Sequence, residues 1–447
     1  MSFTPEQLRE RTLHRRAVEA AIWGMPAVNF DAMYQALVRD ARGVMNQIVY
    51  WSRLLDSKNQ TLTPNPDAIY LMPFYDTTDG PVVLEIPPAD GGSITGSIDD
   101  AWQCAIADVG PAGSDAGKGG KYLILPPDYD DVIPDDYLPM PSPTYRGFAL
   151  LRSNIAGGGD ADIATAVEYG KRVKFYPLFS GDETATTFID ASDVVFDATI
   201  PYDASFFEAL ARRVHAEPWL FRDKVMIDPL KTIGIEKGQP FSPDDTTRAT
   251  LTDAMTEVHA WLDARYETLF TTTFYDDARW SFPGSVDLVH ATEAGFTNAD
   301  TYPTDDRGCT YSWAFFSAKK MGAGQYYLMT IHDKDGNAFD GSATYRLTVP
   351  PNVPVTLYWS VTAYDRSTHT LIRDMPWASR SSNTHGLHVE DDGSVVLSFA
   401  PAPPNGDERN WIPTRADRQF EVLCRFYGPQ QAFFDKTWKL PDIERVH

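Results

Sequence analysis

Cysteine is scarce: Cys104, Cys309 and Cys424 are the only three in 447 residues. They are widely spaced and odd in number, which excludes a disulfide framework and a thiolate zinc site. No apolar run approaches the ~20 residues that a membrane-spanning helix needs. Positive charge is outnumbered, 39 Lys and Arg against 62 Asp and Glu, giving a formal net charge of -23. A phosphate backbone would be repelled over most of such a surface, so nucleic acid is not expected as a partner, and a neutral or cationic ligand fits better. The motifs GxGxxG, GxxxxGK[ST] and GxSxG are absent. Histidine is also sparse. His385 and His388 in NTHGLH are three apart, but Gly386 lies between them and no third ligand is near, so no metal site is predicted. The DKDGN turn after His332 lacks the glutamate that closes a calcium loop. No cofactor is implied.

Aromatic residues, in contrast, are abundant, with 11 Trp, 21 Tyr and 24 Phe in a chain that is 43% hydrophobic. That composition is globular, and the length suits two or three domains. The N-terminal MSFTPEQLRERTLHRRAVEA is charged and helical in pattern, without an apolar signal core, which predicts a cytoplasmic protein with no membrane partner. Residues 1–49 carry helical periodicity with Pro26 placed to stop or kink the first of two helices. Short apolar runs separated by Pro, Gly and Asp over 50–180 predict a β-sandwich. A mainly helical segment follows over 181–320, including a stripe of Leu251, Met255, Val258, Leu262, Tyr266 and Leu269. Alternation returns over 321–447, where VTLYWSVTAYD places Leu357, Trp359, Val361 and Ala363 on one face. The fold class is multidomain α+β: two different antiparallel β-sandwich domains joined by a helical segment, preceded by N-terminal helices.

The densest local chemistry lies in YWSRLLDSKNQTLTPNPDAIYLMPFYD, residues 50–76. Pro64 and Pro66 fix their own φ angles and push Thr63 and Asn65 towards extended geometry, so Asn65 and Asp67 are held on a stiff turn beside Tyr70. A turn of this kind either caps its own backbone or presents polar groups to a ligand. Asp99 and Asp100 precede Trp102, and Asp365 ends WSVTAYD. Each aspartate can equally be a turn cap or an arginine partner, with Arg53, Arg346 and Arg366 as candidates. Trp51, Tyr70, Trp102, Tyr311, Trp313, Trp359, Tyr364 and Trp411 stand beside polar residues, which suits stacking on a ligand ring as well as core packing.

WSRLLDSKNQTLTPNPDAIY resembles the bacterial domain family DUF1254. DGSATYRLTVPPNVPVTLYWSVTAYDRSTHTLI, DDGSVVLSF, NWIPT, RFYGP and WKLPDIERV resemble its usual companion, DUF1214. The resemblance implies two distinct β-sandwich domains and supplies no activity. From the residues, the expected function is a hydrolase or lyase acting on a small neutral or cationic molecule or glycan between the sandwiches. Asp67 and Asp365 would do the acid and base work. Asn65 and Tyr70 would orient the ligand, Trp102, Trp359 and Tyr364 would wall it, and Asn410 with Trp411 would border it. The competing expectation is a non-catalytic ligand-binding or assembly protein using the same cluster. An exposed edge strand in either sandwich would allow a homodimer.

Overall fold

A computed structural model describes residues 3–180, 185–314, 318–320 and 324–446. Thr4 and Gln7 cap each other's backbone N–H groups, and Pro5 occupies the first helical position, so the sequence starts α1 (Pro5–Arg39) firmly. The expected break at Pro26 does not occur; α1 is one helix of 35 residues. Pro26 deprives the Ile22 carbonyl of its donor. That carbonyl instead faces Gly308 so closely that a Cβ there would stand 2.6 Å from the oxygen. The carbonyl of Pro26 accepts from Gln103 Nε2 at 2.8 Å. Burial from Ala20 to Asp31 holds the helix where propensity alone would end it.

The first β unit contains β1 (Gln47–Tyr50), β2 (Asn59–Gln60), β3 (Ile69–Asp76), β4 (Val82–Ile86), β5 (Ile94–Asp100) and β6 (Ala105–Val109). It continues through β7 (Gly120–Leu125), β8 (Tyr137–Pro141), β9 (Arg146–Ser153) and, after α2 (Asp160–Gly170), β10 (Lys174–Pro177). The expected boundary at 180/181 adjoins residues 181–184, which lie outside the described residues. Beyond it β11 (Phe188–Asp190) and β12 (Phe196–Asp197) still pair with this unit. One sheet has the order β11-β1-β3-β9-β5-β6 and the facing sheet β10-β4-β7-β8. Ile48, Leu71, Leu84, Ile98, Tyr122 and Leu151 fill the space between them. The outer face of the larger sheet buries Met72, Phe74, Phe148 and Leu150 against Phe30 and Met33 of α1. Both faces of β3 are therefore covered, which explains why IYLMPFYD is apolar throughout instead of alternating.

Helices α3 (Ser205–Ala216), α4 (Ile227–Thr232), α5 (Asp245–Thr268), α6 (Val286–Glu293) and α7 (Thr304–Trp313) extend this second core around α1. No helix among the described residues is long and apolar enough to cross a membrane. The second β unit is built from β13 (Gln325–Thr330), β14 (Thr344–Val349), β15 (Trp359–Asp365), β16 (Ser379–Ser381), β17 (Val395–Ala400), β18 (Trp411–Pro413), β19 (Phe420–Tyr427) and β20 (Glu444–Val446). Its sheets, β13-β19-β15-β16 and β18-β17-β14-β20, close over Leu328, Val361, Leu347, Leu397, Val422 and Phe426. On β19, Phe420, Val422, Cys424 and Phe426 point into this sandwich. The period of two sends Glu421, Leu423, Arg425 and Tyr427 to the opposite face, towards the first β unit and the helices.

Candidate functional site

The stiff turn of residues 63–70 plugs into the second sandwich. Asn65 accepts from the Asp67 N–H at 3.0 Å, a local Asx turn. Its amide also donates across the domain boundary to the hydroxyls of Tyr358 at 3.1 Å and Tyr427 at 2.7 Å. Tyr364 donates to the Pro64 carbonyl at 2.6 Å, and Thr63 N–H donates to the His369 carbonyl at 2.7 Å. Gln60 adds bonds to Leu371 and Thr370. Thr63 pays conformationally for this: its φ of 36° is outside the ordinary range of a β-branched residue.

Beside the turn, the two β units and α6 border a cavity in two adjoining parts. The inner chamber, about 70 Å³, is bordered by Thr63, Tyr70, Arg152, Leu288, Tyr311, Trp313, Tyr327, Leu423 and Arg425. The outer cleft, about 720 Å³, is bordered by β5 and β6 residues such as Thr95 and Val109 on one side and by Gln325, Tyr326, Leu357 and Tyr427 on the other. Arg152, Phe282, Val289 and Tyr327 border both parts, so they stand at the junction. Gly96 of β5 lines the outer cleft and lies against β9; a Cβ there would stand 1.9 Å from the Leu150 carbonyl oxygen.

Two guanidinium groups dominate the electrostatics of the inner chamber. Arg425 on β19 is fully enclosed and donates to Thr362 Oγ1, the Thr63 and Pro64 carbonyls and Tyr364 Oη, at 2.6–3.3 Å. Arg152 on β9 donates through Nε to Tyr70 Oη at 3.2 Å and lies 5.2 Å from that ring's centre. Its Nη1 and Nη2 make no hydrogen bond to the described residues. Neither arginine has a carboxylate within 4.0 Å among the described residues. Burial works against both charges, but the surrounding tyrosine oxygens keep both guanidiniums firmly protonated. Burial likewise pushes the Tyr327 and Tyr427 phenols up, so they remain protonated. Tyr70 accepts from both the Asn65 N–H and Arg152, and its own proton has no acceptor among the described residues.

A domain family described as a protein of unknown function (DUF1254) matches residues 45–177. A second, also described as of unknown function (DUF1214), matches residues 324–431. The chain belongs to the paired DUF1254/DUF1214 family. No match is found among curated proteins. Among solved structures, the chain is similar in fold to the VPA0106 protein from Vibrio parahaemolyticus, with 18% identity over 97% of this chain and 100% of that one and a TM-score of 0.56. An uncharacterized protein from Burkholderia cenocepacia is 10% identical over 98% and 94% of the two chains, with a TM-score of 0.43.

Of the residues singled out in the sequence, Tyr70, Tyr311 and Trp313 border the inner chamber. Tyr364 stands behind its wall, holding Arg425, and Asn65 holds Tyr427 of the outer cleft. Asp67 and Asp365 share no partner. Asp67 lies next to the DUF1214 residues Ser379, Ser381, Arg380 and Arg425, and burial raises its carboxyl above the usual range against their pull. Ser379 and Ser381 pull the other way as hydrogen-bonding neighbours, although its enclosed Oδ2 has no partner of good geometry among the described residues. Asp365, at the far end of β15, caps Ser367 and pairs with Arg418 at 3.1 Å, beside a separate open pocket containing His259 and Arg366. Neither aspartate borders the DUF1254/DUF1214 cleft. Trp359 faces the interior of the DUF1214 sandwich, because the period-two pattern that marks a strand also points that residue inward. Trp102 packs 4.7 Å from Trp23 in the helical core. Trp411 donates to the Ala400 carbonyl, while Asn410 bonds to His388 and Val396, so both fasten one end of the DUF1214 sandwich.

The candidate arginine partners are also engaged elsewhere: Arg53 with Asp193, Arg346 with Glu444, and Arg366 with Asp263. The sequence reading missed Arg152, Arg425, Tyr327 and Tyr427. For the two arginines the signal was a charge inside a largely apolar strand run, Arg425 in FEVLCRFY and Arg152 in FALLRS, since an arginine buried in a strand needs a reason to be there.

Proposed function

We propose that this DUF1254/DUF1214 protein binds a small organic molecule in the cleft between its two β domains. The observation that carries the reading is the two-part cavity bordered by both domains, with the charged and incompletely bonded Arg152 at its junction. A site at a domain boundary with apolar walls and a few fixed polar groups is the usual form of a small-molecule pocket. The strained Thr63 and the locked turn beside it support a preorganised wall. Binding is favoured over hydrolysis by paired carboxylates. Among the described residues the only carboxylates bordering the cleft are Asp108 and Glu293, in its outer part. Asp108 is already occupied by Ser97 Oγ and the N–H groups of Lys319 and Lys320. Three enclosed free thiols accord with a reducing, cytoplasmic setting.

The test is a thermal-shift screen of a mixed metabolite and fragment set on wild type and on Val289→Trp, which fills the junction. Compounds that stabilise wild type and lose their effect in the variant support the cleft. Hits that act equally on both, or a screen without hits, refute it.

A further inference from the structure

The chain as a whole is strongly acidic, yet the inner end of the cleft between its β units is cationic. Resting on the cleft reading above, we infer that the ligand is an organic carboxylate carrying an apolar body, seated with its carboxylate at Arg152 in the chamber mouth.

The geometry supports each part of that description. Arg425 already spends its Nη groups on Thr362, Thr63, Pro64 and Tyr364, so it contributes positive potential more than new bonds. Arg152 is different. Among the described residues only its Nε is bonded, to Tyr70, so its two Nη groups present a planar fork at the junction of chamber and cleft. One such fork matches two coplanar oxygens bearing a single charge, which is a carboxylate. A phosphate would present a further oxygen and charge to a site with few remaining donors. Tyr70, whose oxygen is doubly occupied as an acceptor, can donate its proton to the same group. The inner chamber is too small for a metabolite and large enough for a head group or a few waters. The outer cleft is more than large enough for a body of moderate size, and Phe282, Val289 and Leu357 give it apolar walls. Asp108 and Glu293 at that outer part would repel a second negative charge at the tail, which favours a monoanion.

Titration calorimetry with the full chain tests this, using the ω-phenyl carboxylates from 2-phenylacetate to 6-phenylhexanoate, the matching ω-phenyl alcohols and 3-phenylpropyl phosphate. Wild type is expected to bind at least one acid about ten- to a hundred-fold more tightly than its alcohol, the range set by a charge-assisted hydrogen bond. Arg152→Gln should abolish that preference, and Arg152→Lys should restore part of it. Equal binding of acid and alcohol by wild type, tighter binding of the phosphate, or an unchanged preference in Arg152→Gln would overturn the inference. Binding of neither class would overturn it too. Because the acid and alcohol are compared on wild type, a poorly folded variant does not remove the test. Alcohols or neutral fragments that bind at the cleft without an acid preference would sink the carboxylate and leave the cleft reading standing. Hits that act equally on wild type and Val289→Trp, or a screen without hits, would sink both.

Discussion

Asn65→Ala is the substitution that most sharply probes how the turn joins the two domains. The side chain is enclosed, with 1% exposure, and makes three bonds: to Tyr358 Oη at 3.1 Å, to Tyr427 Oη at 2.7 Å and from the Asp67 N–H at 3.0 Å. At a net ~1 kcal/mol for each bond, their loss amounts to roughly 3 kcal/mol, with the Asp67 N–H left unsatisfied as the costliest part. Tyr358 and Tyr427, stacked with ring centres 4.3 Å apart, can regain part of the loss by bonding to each other, so the expected destabilisation is about 2–4 kcal/mol. Urea denaturation followed by intrinsic fluorescence measures it. A double-mutant cycle with Tyr427→Phe should give a coupling of about 1 kcal/mol, because each single change breaks the same bond. A loss below about 1 kcal/mol, or a coupling near zero, would refute the view that this side chain fastens the DUF1254 turn to the DUF1214 sandwich.

Glu217 is enclosed and its carboxyl is pushed from 4.5 up to about 7, chiefly by burial and against the Tyr145 N–H, Arg213 and Arg146. A raised acid binds more protons folded than unfolded, so its contribution is present below pH 4.5 and lost as the pH rises to about 7, amounting to about 3 kcal/mol at most. Glu217→Gln should therefore flatten the fall in denaturation midpoint between pH 5 and pH 8, and an unchanged slope would contradict this. Gly96→Ala forces a methyl to within 1.9 Å of the Leu150 carbonyl oxygen and should cost about 3 kcal/mol or leave the chain unfolded, seen as a lower melting temperature or lost soluble yield. Asp365→Asn removes the charge facing Arg418 at 3.1 Å, which should cost about 1 kcal/mol of stability and leave ligand affinity unchanged. Lost binding at normal stability would instead place Asp365 in the site.

Much of the fold can be read from periodicity. The two β regions, the helical segment between them and the 24-residue α5 all follow from where apolar residues recur. The failure at Pro26 has a tertiary cause: Gly308 and Gln103 accommodate the local disruption, and both are remote in the chain. The site was less legible for a related reason. Thr63 and Arg425 touch across 362 positions of sequence, and no spacing rule reaches that far. Aromatic residues mislead because core and pocket use them alike; Trp102 and Trp313 look equivalent in sequence, yet one packs on Trp23 and the other borders the chamber. Aspartates in turns mislead in the same way, since Asp365 caps Ser367 as turn chemistry requires. Net charge averages over the surface and says nothing of an individual arginine in a cleft, so the local charge at Arg152 could not be read from composition.

The most direct measurement is a crystal structure of the full chain with the tightest-binding phenyl carboxylate brominated on its ring. The expected result is an anomalous bromine peak in the outer cleft among Phe282, Val289 and Leu357, with the carboxylate within hydrogen-bond distance of Arg152. Bromine ordered elsewhere, or an empty cleft in crystals soaked with an acid that binds in solution, would contradict a ligand site between the two β domains.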